Sequence, residues 1–583
     1  MKKFLSIVAI LSLVFSPVTP ALADSSSTWN VNADGNWSVA GSWDAGGVPN
    51  GVDWIANLTY DITAPRTVWV NGVGTFTLGT LNIYDGSHDY TLSSSDGGIL
   101  TFDVSAGNAA INQLALSGAN TISASILIND SLDIVNAAAT YFPISSTITA
   151  NAAGTKTITN KGTGIGGVTL SGIIADGNGG IAAVTQNSAT SALTLSGVNT
   201  YTGNTTISVG TLKLGNAATI PFASGMGDVY VNGTLDLNGY SPTVNGLFGA
   251  GIVDNVSAGD SVTFQAGSDN HDGSFSGVIQ NTSGTVALQK AGMGVLTLSG
   301  ANTYKGNTTI KAGTLKVGAA NAIPTGSGKG SVIFNPTKNN TATLDINGFD
   351  VTVNGLSQVS GSTVGAYKVV NNAVGTSKTL TVGNDVASST FAGILADNMG
   401  AGGTLGLTKI GSKTLTLSGD NTYTGITTVS AGTLIATGNA TALGANSSAT
   451  AVTMNVGGTL QLRNDTGLNF GRKVTVVSGP GYSEIDSGRM TLAGEGVTHT
   501  LSDLSTSGTL VAGIGDTLTT SGTQELEFGN VNLTGAATIV TGTTLNPLGV
   551  ASGLLTLGNI TSNGNSLISV SYTHLTLPTN REV

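Results

Sequence analysis

The chain has 583 residues, no cysteine, 84 glycines and 53 charged residues, with a formal net charge of −11. Charge at 9 % lies far below the roughly 25 % of ordinary soluble domains, yet 40 % hydrophobic content is too apolar for a solvated coil. Collagen is excluded by the lack of a strict Gly-X-Y period, a helix-rich fold by the scarcity of glutamate, and phosphate-backbone ligands by the acidic balance.

Residues 1–23 read as a secretory signal: Lys2 and Lys3, an apolar run from Phe4 to Phe15, then Ala21-Leu22-Ala23 as the cleavage site. No second apolar run is long enough to span a bilayer after it. Region 24–75 holds all five tryptophans, between Trp29 and Trp69. Their sequence context allows two readings, a sugar-stacking surface or a cap over the open end of a stacked fold, and the cap is favoured.

From 76 to 569 the chain repeats itself. Leu193-Thr-Leu-Ser-Gly-Val-Asn-Thr-Tyr201-Thr-Gly-Asn-Thr-Thr-Ile207 recurs at Leu296 to Ile310 and at Leu415 to Val429, each followed by Gly-Thr-Leu at Leu212, Leu315 and Leu434. The units fall near 170–250, 275–361 and 391–465. The steps from Leu193 to Leu212, Leu296 to Leu315 and Leu415 to Leu434 are identical in length, whereas the neighbouring steps are longer and vary. Variable spacing around a fixed step suits stacked turns that carry their insertions in corner loops. Within the steps, apolar and polar residues alternate, as in Leu193-Thr-Leu195, so each strand buries one face. The expectation is an all-β fold, a parallel β-helix of roughly 24 turns at about 23 residues each. Residues 570–583 read as a translated sequencing adapter, so the natural chain is expected to continue past about residue 570.

The recurring run, with Leu193, Gly197, Asn199, Tyr201 and Gly203, then Leu296, Gly300, Asn302, Tyr304 and Gly306, then Leu415, Gly419, Asn421, Tyr423 and Gly425, resembles the autotransporter-associated β-strand repeat, also called the passenger-associated transport repeat. The resemblance implies a secreted or surface-exposed right-handed β-helix whose repeats assist passage or folding at the outer membrane. Residues that recur in every unit are expected to serve the unit, Asn199, Asn302 and Asn421 in turns or ladders. Asp236 and Asp345 recur likewise.

The sequence carries few signs of catalytic or metal chemistry. No paired metal-ligand spacing, nucleophile elbow or phosphate loop is present. Asp260 with Asp269, His271 and Asp272 is a weak candidate for a divalent cation, against a plain polar loop. Glu484, Asp486, Arg489 and Glu495 read as a surface ion-pair set, and Lys305, Lys311 and Lys316 as a solvated face. The expected function is therefore an exported structural or adhesin-like protein, without cofactor, that meets an extracellular surface, glycan or matrix ligand and not nucleic acid. Two alternatives stand beside it: a polysaccharide-active lyase or hydrolase on the same scaffold, and a transport or spacer segment of a larger protein.

Overall fold

The computed structural model describes residues 25–571 and 575–576, apart from 45, 73, 337–339, 360–365, 384–386, 399–402, 447–449, 515–517 and 543–551. The signal-like residues 1–23 and most of 570–583 lie outside the described residues. Alternating sequence becomes short strands that stack turn upon turn, in parallel, into long sheets of up to 16 strands. Helix among the described residues is confined to two single turns of 3-10 helix, Ala40–Ser42 and Ser268–Asn270. No described helix is long and apolar enough to cross a membrane.

The chain is thus a parallel β-solenoid of about 20 turns. There are fewer turns than the spacing suggests because the corners lengthen several of them. Asn57, Asn82 and Asn112, for example, sit one above another on the first sheet at intervals of 25 and 30 residues, joined amide to amide at 2.8 Å.

Inside, each alternate residue stands on its counterpart one turn below. One column runs Val168, Leu193, Leu212, Leu235, Val253 and Ile279, all buried. Such a side chain contributes about 1.5–3 kcal/mol by leaving water. At the first turn Trp29, Trp37 and Trp43 pack edge to face, with centroids 5.3 and 4.8 Å apart. Their indole N–H groups donate to Val31 O, Pro49 O and Trp37 O. The three rings are buried at 0–3 % exposure and present no face to a sugar.

Candidate functional site

The recurring residues point inward or into the backbone, and they join turns. The side-chain carbonyls of Asn199, Asn302 and Asn421 accept the N–H of Ile174, Ile279 and Leu395 one turn below, at 2.8, 2.7 and 2.8 Å. Their amide groups donate to the carbonyls of Thr219, Ala322 and Ala442 one turn above, at 2.7, 2.7 and 2.8 Å. Each asparagine therefore clamps three turns. Tyr201, Tyr304 and Tyr423 are buried and share a 2.6 Å hydroxyl contact with Thr205, Thr308 and Thr427. Gly197, Gly300 and Gly419 leave room for the carbonyl oxygen of Gly172, Gly277 and Gly393, which a Cβ would strike. Gly203, Gly306 and Gly425 similarly lie against Ala182, Val286 and Leu405. Leu193, Leu296 and Leu415 are core.

A further member of the clamp escaped the sequence reading. Lys290 and Lys409 are buried, and each ammonium donates to three backbone carbonyls. Those of Lys290 are Ala291, Gly292 and Ala312, at 2.5, 2.8 and 3.3 Å. Those of Lys409 are Ile410, Gly411 and Ala431, at 2.6, 2.9 and 3.2 Å. In the first unit the amide of Gln186 takes the place, donating to Ser188 O and Ser191 O. A signal was present: in Val286-Ala-Leu288-Gln-Lys290, alternation puts the lysine on the buried side.

These groups give stability a pH profile. Burial pulls the ammonium groups of Lys290 and Lys409 down to about 8. It pushes the Tyr201 and Tyr304 hydroxyls well above their usual range and that of Tyr423 up to about 12. Above pH 8 the unfolded lysines still hold protons that the folded ones release, so stability rises with pH. Above about pH 10 the unfolded tyrosines release protons that the folded ones keep, and stability falls. The thermal midpoint is expected to peak near pH 10, with the rise flattened by Lys290→Met plus Lys409→Met. A midpoint that declines steadily from pH 8 would contradict this.

The three copies do not share one side of the rod. In the first, Leu193–Leu195 lies in the 11-stranded sheet and Thr205–Val209 in the 16-stranded sheet. The column through Thr205–Val209 continues by way of Val229–Val231, Leu247–Gly249 and Gly273–Phe275 to Val295–Leu298. That last strand is the second copy's equivalent of Leu193–Leu195. The column through Thr308–Ile310 likewise passes Val332–Phe334, Leu356–Gln358 and Ser389–Phe391 to reach Thr414–Leu417 of the third. Each copy therefore begins on a different face from the last. A row of identical ligand sites along one side is not what this repeat builds.

Asp236 and Asp345 accept the N–H of Asn238 and Asn347, both at 2.9 Å. Those asparagines adopt left-handed backbone (φ 48° and 46°) and donate to Leu214 O and Val317 O below. The aspartates thus fasten a corner.

The four residues of the cation candidate are each engaged in the corners of the rod. Asp260 takes the hydroxyl of Ser257 at 2.5 Å, and Asp272 takes the N–H of Val295 at 2.7 Å. His271 Nδ1 lies 2.6 Å from Asp228, which is 43 residues away in sequence, and its Nε2 lies 4.0 Å from Asp269. Among the described residues no three His, Asp or Glu side chains gather as a metal site. The Glu484 group also divides. Asp486 pairs with Arg463 at 3.3 Å and Arg489 with Asp465 at 3.9 Å, while Glu484 takes the hydroxyl of Thr459.

Together these features define a repeat-built parallel β-solenoid whose recurring residues hold turn to turn. The passenger-associated transport repeat family matches the chain at residues 190–214, 288–317 and 407–436, the three recurring segments. The chain is also similar to the adhesin BmaC autotransporter of Brucella suis biovar 1 (strain 1330), 34 % identical over 283 residues. That match covers 46 % of this chain and only 7 % of the Brucella protein. No solved structure matches the chain.

Proposed function

We propose that this chain is an exported, autotransporter passenger-like adhesin, displayed at the cell surface or released, in which the repeats aid export and folding. The observation that carries this reading is the three-turn clamp, present in three transport repeats. The likeness to an adhesin autotransporter supports the adhesive part. Residues 1–23 then direct export, and the buried tryptophans of 24–75 close the first turn. The partner is an extracellular surface, glycan or matrix component. Contact is made by the outer faces of the rod, where many weak contacts along one rigid body act together.

Binding, not turnover, is the function in this reading. Cells that display the chain are expected to adhere to host-cell or matrix-coated surfaces several-fold better than cells without it. Equal adhesion, or degradation of a glycan coating by the chain, would overturn the reading.

A further inference from the structure

The clamp occupies the recurring residues, so ligand selectivity has to come from outer positions that differ between units. One such position stands out among the described residues. On the 16-stranded sheet Tyr230 is the register partner of Phe248 one turn above. The two rings stack with centroids 5.1 Å apart and planes 16° apart. Both side chains lie on the outer side of the sheet and are partly exposed, while Val229, Val231 and Leu247 beside them are buried.

The stack uses one face of each ring. The other face of Phe248 is directed toward Ser274, its partner in the next turn, and Thr297 follows one turn higher. These are short side chains in a column whose turns rise about 4.8 Å. With side chains this short above it, the outer surface of the column steps down beyond Phe248.

Polar groups flank this step. Asp228 accepts the N–H of Gly246 at 2.8 Å and holds His271 Nδ1 at 2.6 Å. Glycine at 246 lets these groups close in, because a Cβ there would meet Asp228 Oδ1 at 2.6 Å, Asp272 O at 2.7 Å and Phe248 Cε2 at 2.7 Å. The carboxylate and the ring edge are therefore immediate neighbours. Asp228, Asp269 and His271 are each partly exposed.

In the second unit the equivalent strands are Val332–Phe334 and Leu356–Gln358, so Ile333 and Ser357 replace the two rings. A hollow of about 620 Å³ lies there, lined by Ser331, Ile333, Ser357 and Ser389 among others. In the third unit the equivalents are Thr453 and Thr475, so aromatic surface at this place belongs to the first unit alone.

We propose that Phe248, backed by Tyr230, is a stacking platform for one pyranose ring of a neutral glycan. The apolar C–H face of the sugar lies on the ring as the next layer of the stack. Its hydroxyls meet Asp228, His271 and Ser274. Carboxylates outnumber the imidazole around the step, which favours uncharged hexose or N-acetylhexosamine over uronate, sulfated or sialylated sugars. This site deepens the adhesive reading above and rests on it.

The test uses the whole chain on immobilised neutral hexose and N-acetylhexosamine oligosaccharides, beside uronate, sulfated and sialylated ones. Tyr230→Ile and Phe248→Ser copy the second unit, so they suit the same backbone; an unchanged thermal midpoint checks this. Wild type is expected to bind a neutral oligosaccharide, and Phe248→Ser to weaken that binding by about tenfold, or 1.4 kcal/mol. Absence of neutral-glycan binding, binding confined to charged glycans, or equal binding by the double variant would each overturn the platform. If cell adhesion persists in any of those cases, the platform fails and the adhesin reading stands. If neutral-glycan binding passes the test but displayed chain gives no adhesion, the reverse holds.

Discussion

Asn302→Leu is expected to lower stability by several kcal/mol, although the new side chain is nearly the same size. The substitution strands two buried backbone groups, the N–H of Ile279 and the carbonyl of Ala322. Each buried group left without a partner costs about 1–3 kcal/mol, and the two losses add. The damage should be local, because turns of a solenoid depend chiefly on their neighbours. Hydrogen exchange read by mass spectrometry should accelerate between about residues 275 and 325 and stay slow near the other two clamps. Thr297→Ala, on the outer side of the same turn, should change stability by less than about 0.5 kcal/mol. Equal effects from the two variants would mean that the asparagine is not a clamp.

Gly300→Ala is expected to be comparably damaging with a single added carbon. A Cβ at Gly300 would collide with the carbonyl oxygen of Gly277 in the turn below. That oxygen belongs to the backbone and cannot swing aside, so the turns themselves must separate. Overpacking in a well-filled interior costs about 1–3 kcal/mol and sometimes more. Here the separation also weakens stacking in the rest of the turn, so the upper end of that range is expected. Gly41→Ala is the control, since nothing lies within 4 Å of the added carbon. Denaturant midpoints measured side by side check the pair. A Gly300→Ala midpoint equal to that of Gly41→Ala would refute the close approach.

Much of this architecture is legible in the sequence. Two-residue alternation and the constant step from Leu193 to Leu212, matched in the other two units, are direct consequences of strands stacked at a fixed height. Strand, turn and repeat could therefore be read together. The roles of Asn199, Asn302 and Asn421 are legible only as turns or ladders; that each reaches both up and down is decided by which corners the fold stacks around it. Lys290 and Lys409 were missed because a lysine in a buried strand position is normally excluded. Three carbonyls supplied by a tight corner make it tolerable, and that geometry is set by backbone conformation.

The outer surface was the least legible part. Tyr230 and Phe248 belong to successive turns, and Asp228 and His271 lie 43 residues apart. Only the lengths of the intervening corners bring each pair into register. Those lengths vary freely because corners carry little of the stacking energy. For the same reason the rotation of successive repeat copies onto different faces left no mark in the spacing.

In the proposed function the recurring residues maintain the rod while the outer surface binds. Adhesion of cells displaying the chain, normalised to the number of molecules on the surface, separates the two roles. With Asn302→Leu, the amount displayed should fall while adhesion per displayed molecule remains near that of wild type. Full display with adhesion per molecule abolished would place the binding function in the repeat motif itself and contradict the account.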